Sequence, residues 1–412
     1  MEYSSPEEVN VVIIGAGISG LVLARQLAEA AISVAVLEQR YSVPRNGGFA
    51  GLVGGDDLRA LGIDRIERVP VREIVTVDAN DGWRSESRPY PDEAVFAVTH
   101  DDLLRALRQG FRESNVPVVP DRTVTELLWA KGAVSGVKVG PGHEEVRSRL
   151  VVLADESDPR LAETLGLRPD WPPTRLMHVG KERFAGAPDE IARRFGESSG
   201  GARSYYLQWK SAWGDPVEGY IVPVGDRVTV GVNYLLEHEM VSAHHVLEVL
   251  VELKAFPAIR TLLSELAASD AVTEVVPVGW GAEPQRLATD GILVVSDVVG
   301  ATNPLNRDGL SGNLEVCTAA ARVIREALAE RDVSAPGLAS YGAFLRGHVY
   351  HSSKGGLRRH SSLDGGDAGH PLMRTLGSVT TPRKSATLPG GNRPLARAFD
   401  RLRRAGVRRS NS

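Results

Sequence analysis

Residues 9 to 38 set apolar runs on either side of a glycine turn. Val9, Val11, Val12, Ile13 and Ile14 form a short β-branched run of the kind a strand buried on both faces requires. Gly15-Ala16-Gly17-Ile18-Ser19-Gly20 follows at once, and Leu21, Leu23, Ala24, Leu27 and Ala28 then recur near helical spacing. Ser33 to Leu37 reads as a second buried strand ending at Glu38. The pattern predicts a βαβ unit within about 30 residues.

A Gly-rich stretch, Gly47 to Gly55, and a polar region to Pro91 come next. A helix is predicted over Asp101 to Ser114, where Leu103, Leu104, Leu107 and Phe111 share a face. Strands are expected near Val124 to Leu128 and Val134 to Val139, and the run Leu150 to Ala154 reads as another buried strand. From about Pro172 to Val275 the grammar changes. Tyr205 to Trp209, Gly219 to Val224 and Val228 to Tyr234 alternate like antiparallel strands, followed by a helix from about Ala243 to Leu266. Gly291 to Val295 then forms a buried strand ending at Ser296-Asp297, and a helix runs from about Leu310 to Glu330. Asp364 to Pro394 is rich in Gly, Pro, Ser and Thr without periodicity and reads as a linker or poorly ordered tail.

The expected fold class is therefore α/β. A Rossmann-like dinucleotide-binding domain is split between residues 1–171 and 276–362, with an antiparallel-sheet substrate domain inserted at 172–275 and a basic tail at 363–412.

Composition narrows the function classes. The 412 residues carry 48 Lys and Arg against 52 Asp and Glu, a formal charge of -4, with one cysteine. That balance gives no reason to expect nucleic acid as a partner. A lone Cys317 forms no intrachain disulfide, no four-thiolate zinc site and no cysteine-ligated iron–sulfur cluster. No apolar stretch approaches the roughly 18 residues needed to span a membrane, and Met1 to Asn10 lacks a secretory signature, so a cytoplasmic setting is expected.

Chemistry concentrates first in the glycine turn. In Gly15-x-Gly17-x-x-Gly20 the first glycine permits a tight turn, the second lets the backbone approach a pyrophosphate, and the third lets helix and strand pack closely. Ala16 and Ser19 complete the loop, and the helix beyond offers free N–H groups to an anion. Glu38, ending the second strand, can accept hydrogen bonds from both hydroxyls of an adenosine ribose. A 2′-phosphate would meet it as a like charge, which leaves NAD or FAD rather than NADP.

Asp290-Gly-Ile-Leu-Val-Val-Ser-Asp297 through Pro304, Gly309 and Leu310 resembles the second flavin motif of FAD-dependent oxidoreductases with the p-hydroxybenzoate hydroxylase fold. By that resemblance FAD is the cofactor, Asp297 holds a ribityl hydroxyl, and Gly309-Leu310 at a helix start give N–H groups to the flavin C2 carbonyl. A helix N-terminus there favours the negative charge of reduced flavin. Val124 matches the position whose backbone faces adenine. Within the fold the sequence is most similar to FixC-like dehydrogenases, relatives of electron-transfer-flavoprotein:quinone oxidoreductase. Val179 to Gly196, Phe256-Pro-Ala-Ile259, Asn303 to Gly309, and Leu338 to Arg359 carry this likeness, over about residues 8 to 360.

The chain also departs from the pattern. Asp155-Glu156-Ser157 stands where such flavoproteins show Asp-Gly-x-x-Ser, and that motif also serves NADPH in the hydroxylases. His100 stands where an Arg commonly precedes the helix, and Ser296-Asp297-Val298 replaces Gly-Asp-Ala. The cysteine-rich cluster domain of the quinone oxidoreductases has no counterpart cysteines. The resemblance implies an FAD-dependent dehydrogenase or reductase moving hydride between a small-molecule substrate and flavin N5. A flavin monooxygenase is the second reading, and a carrier docking to an electron-transfer protein the third. Tyr205, Tyr206, Trp209, Trp213 and Tyr220 are expected in the sheet over the flavin, with no catalytic residue assigned.

Other signals point to less. Gly196-Glu-Ser-Ser-Gly200 matches a nucleophile-elbow pattern but lacks the preceding buried strand. His244, His245, His348, His351 and His360 have no metal-ligand spacing. Cys317 sits among Val316, Ala319 and Ala320 as a small core residue. Residues 383–412 hold nine Lys or Arg against one Asp, so the remaining chain carries -12. Leu395, Phe399 and Leu402 on one side of this basic segment fit either a solvated terminus or peripheral contact with an anionic membrane or acidic partner.

Overall fold

Val11, Val12 and Ile13 are wholly buried, because the strand that holds them runs through the middle of a sheet covered on both faces. That strand, Glu8–Ile14, pairs in parallel with Val34–Leu37 on one side and with Glu144–Leu153 on the other. Val118–Val119 extends the parallel array beyond Val34–Leu37, and Ile292–Val294 extends it beyond Glu144–Leu153. Ala288–Thr289 closes one edge antiparallel, and the hairpin Val124–Ala130 with Ala133–Val139 joins the N-terminal half of Glu144–Leu153. The helices Ile18–Glu29, His100–Arg112 and Leu310–Glu330 bury Leu21, Leu27, Leu103, Leu107, Val316 and Ile324 in the same core.

The computed structural model describes residues 8–40, 48–63, 66–80, 83–112, 116–154, 160–167, 171–196, 200–235, 242–278, 286–295, 297–302 and 310–349, all within the unit Met1–Thr380. The nucleophile-like residues 197–199, the segment Asp155–Pro159, Gly309 and the basic tail lie outside the described residues. Gly196 itself is the left-handed cap of the helix Pro188–Phe195, so a helix rather than a buried strand precedes that motif.

Among the described residues the second sheet has ten strands. Its main path runs Ala267–Ala268, Leu176–Ala185, Arg227–Leu235, Pro216–Val224, Ala202–Lys210, Val69–Asp78, Val95–Thr99, Ala50–Gly54. Val272–Pro277 pairs with Leu176–Ala185, and Arg84–Pro89 with Val69–Asp78. The three antiparallel strands expected around Tyr206, Tyr220 and Val230 are present. Two features add to that expectation. The sheet is mostly antiparallel, with Ala202–Lys210 pairing in parallel with Val69–Asp78. Four of its strands also come from residues 50–99, within the stretch expected to serve the dinucleotide. Val69–Asp78 hides its buried residues at every third position, Val71, Ile74 and Val77, and Arg84–Pro89 is polar and exposed, so neither shows the two-residue alternation of a half-buried strand.

The helix expected over 243–266 is two helices, Ala243–Ala255 and Pro257–Leu263. Pro257 has no N–H to continue the first and takes the opening turn of the second. With Pro188–Phe195 these helices cover one face of the sheet, where Leu207, Val217, Ile221, Val230, Val232, Val246, Val249 and Leu253 form a separate apolar core. The opposite face carries Lys181, Tyr206, Glu218, Tyr220 and Asn233.

Candidate functional site

The glycine turn takes the shape that its sequence implies. Gly15 has φ +101, a left-handed conformation that favours glycine, and its N–H bonds the Leu37 carbonyl at 2.8 Å. A Cβ on Gly20 would lie 2.1 Å from the Gly15 carbonyl oxygen, so only glycine lets the helix start this close to the strand. Gly17 caps the helix Ile18–Glu29 with extended backbone, and a Cβ there would meet nothing within 4 Å. That helix has no side-chain cap and no acid in its first turn, which leaves its N-terminal donors for an anion. Ser19 is buried and its carbonyl accepts from the Cys317 thiol at 3.4 Å, seating the glycine helix against Leu310–Glu330.

Glu38 is the polar centre of this end. It is 7% exposed, and its Oε2 accepts from the Ala16 N–H at 2.9 Å and from Arg108 Nη2 at 3.2 Å. Its Oε1 accepts from the Arg40 N–H at 2.8 Å. Arg108 Nη2 also reaches the Ala16 carbonyl at 3.3 Å, while Arg108 Nε is buried without a partner. Burial pulls the Arg108 pKa down and the Glu38 charge opposes that shift. A guanidinium stays protonated in any case, so the pair is ionic. The Arg122 N–H donates to the Glu38 carbonyl at 2.9 Å, which brings the start of the strand Val124–Ala130 alongside; Val124 is 7% exposed there.

The structure thus brings together Gly15, Ala16, Gly17, Ser19, Gly20 and Glu38, with Val124 flanking them. Among the described residues His100 has no hydrogen bond or ion pair to these. Its ring is more than half exposed and lies 3.7 Å from Asp101, and its N–H donates to the Phe49 carbonyl. Arg108, two turns along the same helix, is the cation that reaches the glycine turn. It was missed at the sequence level, although it stands within the apolar stripe of Leu104, Leu107 and Phe111, where a charge needs a partner.

At the other end, Asp297 opens a short turn, Asp297–Val299, directly after the strand Ile292–Val294. Leu310 begins the helix Leu310–Glu330, whose first turn holds Ser311 bonded to Asp57 at 3.0 Å. Gly312 approaches the Ala301 carbonyl so closely that a Cβ would sit 2.2 Å from it. The Trp171 indole N–H donates to the Val298 carbonyl at 2.9 Å, and Val278 bridges to Ala301. The ten-stranded sheet meets this region through that bridge, and within the sheet the Ala50 N–H donates to Thr229 Oγ1 at 2.7 Å. Lys181 lies over the Phe49 ring at 5.7 Å and pairs with Glu274.

A dinucleotide fits the residues present. The uncapped helix N-terminus and the space over Gly17 suit a pyrophosphate, and the oriented Glu38 carboxylate suits a ribose.

Comparison with known proteins agrees with this geometry. Residues 13–45 match a family described as NAD(P)-binding Rossmann-like domain. A probable electron transfer flavoprotein-quinone oxidoreductase, YdiS of Escherichia coli K12, is 25% identical over 349 residues, covering 82% of this chain and 81% of that protein. Digeranylgeranylglycerophospholipid reductase 2 of Methanopyrus kandleri is 28% identical over 354 residues, 81% of each. Among solved structures, PqsL of Pseudomonas aeruginosa, a probable FAD-dependent monooxygenase, superposes with TM-score 0.61 at 19% identity, covering 91% of this chain and 100% of that one. The fold expected from the sequence is the fold observed.

Proposed function

We propose that this FAD-dependent oxidoreductase works as a dehydrogenase or reductase, its bound FAD supplying hydride chemistry at N5 to or from a small organic substrate. The observation that carries the cofactor half is the Glu38 carboxylate, held by the Ala16 and Arg40 N–H groups and by Arg108. Oε2 already accepts two hydrogen bonds, Oε1 accepts one and keeps room for a ribose hydroxyl, and the carboxylate charge disfavours a 2′-phosphate.

The other residues have distinct tasks. Gly17 lets the pyrophosphate approach the helix N-terminus, Gly20 sets the helix distance, and Val124 flanks the adenine. Asp297 is the group for the ribityl chain, and Gly309 with Leu310 direct a helix N-terminus at the flavin carbonyl edge, where it favours negative charge. Residues 1–171 and 276–362 serve chiefly the cofactor. Residues 172–275, with the strands from 50–99, supply the sheet that excludes water and orients the substrate.

The name of the quinone-oxidoreductase relative supports an electron-transfer protein as redox partner. Among the described residues no helix is long and apolar enough to cross a membrane, and we place the enzyme in the cytoplasm. PqsL shares the fold, so monooxygenation is the reading to discriminate against. Stopped-flow mixing with NADPH, then oxygen, separates them. The dehydrogenase reading expects neither rapid reduction by NADPH nor a C4a-oxygen adduct, and either result would favour the monooxygenase.

A further inference from the structure

Val272–Pro277 is an edge strand. It pairs on one side with Leu176–Ala185, and among the described residues nothing pairs with its other side. The Val278 N–H donates to the Arg175 carbonyl at 2.8 Å, and alternation along the antiparallel ladder then turns the backbone groups of Val276, Glu274 and Val272 inward. Thr273 and Val275 therefore point their N–H and C=O groups away from the sheet. Pro277, which has no N–H to give, falls at an outward position, the place where a strand tolerates proline.

The side chains along this margin are apolar and open. Val272 is 41% exposed and Val275 51%, and Val251 on the helix Ala243–Ala255 is 59% exposed. That helix turns Val251 toward the same margin. Lys254, three residues on, pairs with Glu182 of Leu176–Ala185, whereas Glu252 on the opposite flank accepts from the Trp209 indole at 3.1 Å, further into the sheet. The one charged side chain of the strand, Glu274, is paired with Lys181. An exposed edge with free donors and acceptors and no unanswered charge is a template for another strand.

We propose that this edge is the interface of a homodimer, in which two copies of Val272–Pro277 pair antiparallel about a two-fold axis at Glu274. Set that way, the Thr273 N–H meets the Val275 carbonyl of the second copy and the Val275 N–H meets its Thr273 carbonyl, so each outward group is answered. A strand whose outward groups lie two residues apart is complementary to itself. Val272 then opposes Val276 of the second copy, and Val251 of both copies flanks the seam on one face, where the valines leave water together. Glu274 faces its own counterpart across the axis, a repulsion that Lys181 offsets on each side. A strongly charged partner finds no free charge on the strand to select it. The dimer goes beyond the oxidoreductase reading and does not rest on it.

The test uses the full-length protein. Sedimentation velocity across a micromolar concentration series should show monomer and dimer in equilibrium. Hydrogen exchange should show the Thr273 and Val275 amides slowing about tenfold or more as the dimer fills. Thr273→Pro removes an outward N–H without touching the ladder to Leu176–Ala185, and Val275→Lys sets a charge against its own copy. Each should weaken dimerisation about tenfold or more. Trp129→Lys changes a side chain that is 57% exposed on the other sheet, and the dimer should form as in the parent. A protein that stays monomeric through the series, a dimer whose Thr273 and Val275 amides exchange as fast as in the monomer, or a dimer that both edge variants leave intact would each overturn the inference. The exchange measurement needs no substitution, so it decides the question even where a variant fails to fold.

Discussion

Arg108 donates from Nη2 to Glu38 Oε2 at 3.2 Å, across 70 residues of chain, and its second contact is the carbonyl of Ala16, the residue between the first two motif glycines. The acid that marks the end of the second strand is therefore half of an ion pair whose side chains are 18% and 9% exposed. Glu38 has its position fixed before any nucleotide arrives, which lowers the ordering cost of binding.

Arg108→Met should weaken FAD binding by about tenfold and lower the melting temperature, because Glu38 then keeps its buried charge without a cation. Fluorescence titration of the apoprotein with FAD and a thermal melt measure the two effects. Unchanged affinity would show that the Ala16 and Arg40 N–H groups suffice to hold the carboxylate.

Gly20→Ala places a Cβ 2.1 Å from the Gly15 carbonyl oxygen, a backbone atom that cannot swing aside. Destabilisation of about 2 kcal/mol or more is expected in denaturant unfolding, with FAD binding lost through the distorted turn.

Gly231→Ala acts at the other end. Its Cβ would collide with the Tyr220 ring, so the ring must leave its place. Destabilisation of about 1–3 kcal/mol is expected in denaturant unfolding, while FAD affinity is retained in a fluorescence titration.

His178 is 6% exposed with Nε2 buried and unpartnered, and burial holds its pKa below the ordinary histidine value. The unfolded chain takes up the proton more readily than the folded one. Stability is therefore full above about pH 6.5, the unfolded value, and falls as pH drops below it. Unfolding of the parent and of His178→Leu should show that the acid-side slope below pH 6.5 is reduced in the variant.

The legible parts of the sequence were those in which local pattern and tertiary role coincide. The run from Val9 to Glu38 reads as strand, turn, helix and strand because its apolar residues and its glycines serve local geometry and burial together. Val69–Asp78 was not legible, since a strand whose inward positions are covered by different neighbours along its length shows no two-residue period. His100 drew attention by motif position, while Arg108 carried the contact. A cation inside an apolar stripe announces a partner without saying which, and only the fold brings Glu38 to it.

The measurement closest to the central claim is the identification and affinity of the bound nucleotide in the parent and in Gly17→Ala. Because a Cβ at Gly17 meets nothing within 4 Å, the variant should melt like the parent as apoprotein. The same Cβ would occupy the space through which a pyrophosphate approaches the backbone. Denaturation of the parent should release a molecule with the mass of FAD, and Gly17→Ala should bind FAD at least tenfold more weakly. A parent that stays colourless after reconstitution with FAD, or a variant that binds FAD equally well, would contradict the account.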